Sequence, residues 1–133
     1  MNRVSLASRL SGEGGEVAEV VVASVAFFTL IFMAVQMALW SHAAHVAQAA
    51  ADQGGEIARA YGSTSAAGIA AANQYLSTVA GSLVTDPQVS ASLSPGDVSV
   101  VTVTARADSI LPFFDKWVTA KSVGPVEEFR ATG

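Results

Sequence analysis

Gly14-Gly15-Glu16-Val17-Ala18-Glu19 is the place where residue types and spacing point to chemistry. Two glycines stand at the start of a long apolar run, and a carboxylate, Glu19, lies five residues past Gly14. A lone carboxylate at the edge of a low-dielectric region is costly unless a cation meets it. Glu19 is therefore a candidate for pairing with a positive group. The alternative is that Gly14, Gly15 and Glu19 form only the polar border of an anchor. Other candidates are weaker. His42 and His45 are three apart on a helix and make half a zinc site. The nearest carboxylate in sequence is Asp52, so both are read as solvated histidines and no metal is expected. No serine stands in a Gly-x-Ser-x-Gly context, and the glycine-rich leader lacks the Lys-Ser/Thr of a phosphate loop. Asp108 and Asp115 only bracket a hydrophobic loop. The absence of cysteine removes disulfides, thiolate catalysis and cysteine-based metal sites. Seven basic residues against eleven acidic ones leave no cationic stripe for nucleic acid. The expectation is a protein that is no enzyme and has no cofactor.

The element that must position Glu19 runs from Val20 to Trp40, VVVASVAFFTLIFMAVQMALW, and holds no charge. Its polar members are Ser24, Thr29 and Gln36. Counted from Val17, the stretch is about 24 residues; at about 1.5 Å each, a helix of about 36 Å results, enough for a hydrocarbon core of about 30 Å. A membrane-spanning helix follows. With only 14% charged residues against roughly 25% in an average soluble domain, the chain has little of a cytosolic protein's surface. Arg3 and Arg9 precede the run and the next basic residue is Arg59, which predicts an N-terminus inside and residues from Ser41 onward outside. A cleavable secretory signal is the rival reading, with Ser41-His42-Ala43 as its cleavage site. The apolar core is longer than the 7–15 residues typical of such signals.

Beyond Trp40, helix-forming residues continue to about Tyr61, with Gly54-Gly55 expected to weaken or bend the run. Ala43, Ala47, Ala50 and Ala51 recur at spacings that permit close backbone approach. The alternative is that they serve helix propensity alone. Gly62-Ser63-Thr64 punctuates the chain, and Ser63, Thr64 or Ser65 is the cap of a second helix over 65–84. Ile69, Ala72, Leu76, Val79 and Leu83 form its expected inner face. Asp86-Pro87 ends helical character. Val89, Ala91 and Leu93 then alternate with polar residues, and Ser94-Pro95-Gly96-Asp97 signals a turn. Val98–Ala107 reads as a strand rich in β-branched residues, and Trp117–Val123 as another. A small antiparallel sheet on the second helix would bury Val101, Val103, Trp117 and Phe113.

A glycine before a membrane helix with a glutamate five residues on is similar to the pattern of type IV prepilins. That resemblance implies cleavage between Gly14 and Gly15. The new α-amino group would be neutralised by Glu19 of a neighbouring subunit, setting axial register. The wider stretch from SGEGGEVAEV to GGEIARAY resembles the N-terminal half of TadE-like proteins, minor pilins or pseudopilins of the tight-adherence (Flp-type) pilus. Gly14 and Glu19 match the family's glycine and glutamate, and Ala58-Arg59-Ala60 its later segment. VTVTARADSILPF and VGPVEEFR resemble the strand and end of actinobacterial members. Members usually show Arg-Gly and Val-Glu where this chain has Glu13-Gly14 and Ala18-Glu19.

The expected architecture is α+β: a cytoplasmic leader over 1–16, a transmembrane helix over 17–40, its outward continuation over 41–61, and a small extracytoplasmic head over 62–133. The resemblance implies a structural role in assembling or priming a pilus. Expected partners are the lipid membrane and other pilins or pilus-assembly proteins, with a prepilin peptidase as a further candidate. An uncleaved membrane-anchored scaffold of a secretion system, and a secreted binding module released by signal cleavage near Ala43, are the alternatives.

Overall fold

The structure, a computed structural model, describes residues 4–94, 97–114 and 116–128, with the backbone alone for 4–13. Arg3, Pro95, Gly96, Asp115 and the closing Phe129-Arg130 lie outside the described residues, as do the side chains of Arg9 and Glu13. Three antiparallel strands and two α-helices make up an α+β chain, as the sequence predicts. It divides into two units, Met1–Val35 and Gln36–Gly133.

Helix α1 spans Val4–Arg59. It starts inside the segment read as the leader, and it passes through Gly14-Gly15 without interruption. In the first unit its apolar side chains are exposed, from Val17 through Phe27 and Phe28 to Val35. The stretch is long and apolar enough to cross a membrane. The two hydroxyls in it satisfy themselves: Ser24 Oγ donates to Val20 O and Thr29 Oγ1 to Val25 O, each at 2.7 Å. Bonding back to the carbonyl one turn earlier lets a polar side chain ride in an apolar helix.

The second unit is built on the other half of α1. Ala43, Val46, Ala47, Ala50 and Ala51 are buried, which settles the alanine spacing as a packing face. The helix runs unbroken through Gly54-Gly55, and the glycines provide room. A Cβ at Gly54 would stand 2.7 Å from Gly68 O and 2.9 Å from Ala72 Cβ. At Gly55 it would run into Ser122 Oγ. The helix gives up about 1 kcal/mol per glycine in propensity, and the close approach of neighbouring elements offsets it.

Helix α2 spans Ser65–Tyr75. Thr64 is its cap, its Oγ1 accepting from Ala67 N at 3.1 Å, an arrangement worth about 1 kcal/mol. The helix is shorter than its sequence suggests. A π-helical turn, Leu76–Ala80, follows and stops at Gly81, whose φ of 52° suits glycine. The wider turn moves the inner face: Gly68, Ala72, Leu76 and Ala80 are buried, whereas Val79 is exposed and Leu83 only half-buried.

Strand β1 spans Val84–Ser94, β2 Val98–Ala107 and β3 Trp117–Pro125, in the order β1-β2-β3. β1 therefore begins before Asp86-Pro87. The register shifts between Thr85 and Gln88, where Asp86 takes a φ of 49°; a bulge accommodates the proline that cannot join the ladder. β2 alternates strictly, with Ser99, Val101, Val103, Ala105 and Ala107 inward. Val118, Ala120 and Ser122 join them from β3. The core cluster unites these strands with Ala43–Ala51 of α1 as well as Ala72, Leu76 and Ala80. The sheet thus packs on the first helix as well as the second. Val101 and Val103 are buried as expected. Trp117 is 47% exposed and Phe113 is 95% exposed, because a core this thin has no room for rings.

Candidate functional site

Gly14, Gly15 and Glu19 sit in α1, all exposed. Gly15 and Glu19 are one turn apart and share a helix face. A Cβ added at Gly14 or Gly15 would meet nothing within 4 Å. These glycines therefore differ in kind from Gly54, Gly55 and Gly68, which packing requires. Among the described residues no neighbour explains two poor helix formers in succession here, and Glu19 is exposed.

Gln36, the third polar residue of the apolar run, is 2% exposed. Its Oε1 accepts from Ile110 N at 3.1 Å and lies 3.1 Å from Ser109 Oγ. Ser109 Oγ in turn accepts from Leu111 N and lies 2.7 Å from Leu111 O. Asp108 Oδ1 takes the Ser109 N–H at 2.9 Å. Asp108 thus stabilises its own loop, and its proposed bracket partner Asp115 is outside the described residues. Lys116 Nζ stands 5.9 Å from the Trp40 ring and 5.4 Å from the Phe114 ring. Sequence reasoning noted Gln36 only as a polar member of the run. Being its only carboxamide was the signal that it needed partners.

Arg59, the last residue of α1, acts as a clasp. Its side chain lies over Gly124, within 2.8 Å of where a Cβ would be, and Nη1 donates to Ser122 Oγ at 3.1 Å. Its carbonyl accepts from Glu127 N at 2.9 Å. Ala58 packs beside it against Gly68. Ala58-Arg59 therefore joins the helix end to β3 and α2. His42 and His45 are both exposed. Among the described residues no group of three His, Cys, Asp or Glu is placed to hold a metal.

Residues 14–56 match the family model of TadE-like proteins. The chain carries a TadE-like segment. The match takes in Gly14, Gly15, Glu19, the apolar run, Gln36 and the buried alanine face. It stops short of Ala58-Arg59-Ala60, and α2 and the sheet lie beyond it. No curated protein and no solved structure matches the chain.

Proposed function

We propose that the protein is a minor pilin or pseudopilin that contributes to assembling or priming a tight-adherence, type IV-like pilus. The observation that carries this reading is the division of labour along α1. One half exposes a continuous apolar surface, and the other half is a buried small-residue face that holds the head. An exposed apolar helix surface is satisfied by lipid or by like helices, which is what a pilin exchanges on assembly. The protein inserts with its N-terminus cytoplasmic and the head outside. Cleavage between Gly14 and Gly15 leaves an amine on Gly15, and Glu19 of an adjacent subunit neutralises it. The paired glycines, about 1 kcal/mol each weaker than alanine in a helix, make this turn the easiest part of α1 to open for a peptidase.

Mass spectrometry of the native protein tests processing. A mature N-terminus at Gly15 supports the reading, Met1 supports an uncleaved scaffold, and about Ala44 supports a secreted module. Glu19→Ala leaves insertion intact and lowers incorporation into pili or binding of partner pilins; an unchanged pilus yield counts against the role of Glu19. The uncleaved scaffold has one observation in its favour: α1 is unbroken at Gly14-Gly15, and cleavage requires that turn to unwind.

A further inference from the structure

The connection from β2 to β3 contains Ile110-Leu111-Pro112-Phe113-Phe114. Phe113 is 95% exposed and Ile110 49%. A run of consecutive apolar residues held out on a loop is an interaction surface unless something covers it. The loop is not free to fold back onto the core. Gln36 holds its first half through Ile110 N and Ser109. Lys116 spans the rings of Trp40 and Phe114 at the other end. Both attachment points, Gln36 and Trp40, belong to the last turns of the charge-free run Val20–Trp40.

We propose that the Ile110–Phe114 loop inserts into the leaflet that faces the head, giving the protein a second membrane contact beside α1. The proposal rests on the reading of α1 as a membrane span. The occupant is phospholipid, for two reasons. The hydrogen bonds to Gln36 and the Lys116 contact with Trp40 hold the loop beside the last turns of the charge-free run, where that run would leave the bilayer. Its composition is that of a bilayer boundary: Phe113 points outward, a tryptophan marks the end of the span, and the exposed Lys116 stands beside the Trp40 and Phe114 rings, as a cation at the headgroup level does. Insertion fixes the height and tilt of the head against the membrane. It also adds an apolar contact that must be broken before the protein can leave the bilayer.

The chain contains no cysteine, so single cysteines can be introduced and labelled with the polarity-sensitive fluorophore NBD in the full-length protein. Phe113→Cys reports the loop, and Pro112→Cys reports it with both phenylalanines kept. Leu93→Cys, at the opposite end of the sheet where Leu93 pairs with Ser99, reports the far side of the head. Phe28→Cys reports the span. Each is reconstituted at one copy per nanodisc of phosphatidylcholine and phosphatidylglycerol. The expected result is blue-shifted emission at 112 and 113, quenching there by nitroxides on lipid chains, and protection from iodide. Position 93 shows the reverse, and position 28 is quenched by lipid nitroxides alone. Positions 112 and 113 behaving like 93, with 28 in lipid, overturn the loop proposal and leave the span. Position 28 in water overturns both. Protection at 113 seen only with several copies per disc makes a second chain the occupant and likewise overturns the proposal.

Discussion

Replacing Gly68 with alanine places a methyl group where α1 already runs. A Cβ there would stand 2.6 Å from Ala58 Cβ and 2.7 Å from Gly54 O. Carbon–carbon contacts are most favourable at about 3.5–4.0 Å, so the helices must part by roughly 1 Å. Neither obstacle can swing aside: one is backbone and the other a methyl fixed to backbone. Overpacking of this kind costs about 1–3 kcal/mol, and rigid neighbours put it near the upper figure. Alanine returns about 1 kcal/mol of helix propensity. The net is about 2 kcal/mol of destabilisation, which in a unit of this size lowers Tm by about 8–16 °C. Trp40 and Trp117 both lie in this unit, so their fluorescence during a thermal melt of the full-length protein in detergent reports it. A Tm that rises, as propensity alone dictates, or stays put would refute the argument that the α1–α2 crossing demands glycine.

Gly14→Ala is the contrasting case: with nothing near its Cβ, it leaves the head's melt unchanged and strengthens the helix locally, while slowing release of the leader in a peptidase assay read by mass spectrometry. Arg59→Ala removes the Ser122 Oγ partner and uncovers Gly124; the expected loss is about 1–2 kcal/mol, seen as a lower denaturation midpoint that Arg59→Lys restores only in part. Gln36→Leu deprives Ile110 N of its acceptor, a loss of about 1–3 kcal/mol. Hydrogen exchange at the Ile110 amide then accelerates about 10-fold or more, with little change at Val103 in the centre of β2.

The elements legible in the sequence were those with a strong period. The charge-free run, the alternation of β2 and the three-four spacing of Ala43–Ala51 each led to the right element and, for β2, to the right buried face; for the alanines the sequence left packing and propensity open, and burial decides for packing. Thr64 stood among the expected caps. What misled was volume. Trp117 and Phe113 were assigned to the core because large apolar side chains usually go there, yet a sheet lying on an alanine face excludes them. The end of α2 was misread because Asp86-Pro87 outweighed Gly81, the residue whose positive φ ends the π-helical turn. Gly54-Gly55 looked like a defect because propensity is a local property, and the residues that need their space, Gly68 and Ala72 of α2 and Ser122 of β3, come later in the chain. Gln36 and Arg59 were missed as anchors for the same reason: their partners Ile110 and Ser122 are long-range. Of the candidate site, the sequence places Gly14, Gly15 and Glu19 at the rim of the run, and the structure shows all three exposed. The role proposed for them involves a second molecule.

An interior of alanine and valine has a thermal consequence. Alanine and glycine give up almost no rotamer freedom when buried, so few side-chain torsions are frozen as this head forms. Methyl groups also shed little hydrating water, and the heat-capacity change of unfolding scales with the apolar area uncovered. Both driving force and opposition are small, and the stability curve of such a body is correspondingly flat. The head keeps its form across a wide span of temperatures by having little to lose at either end.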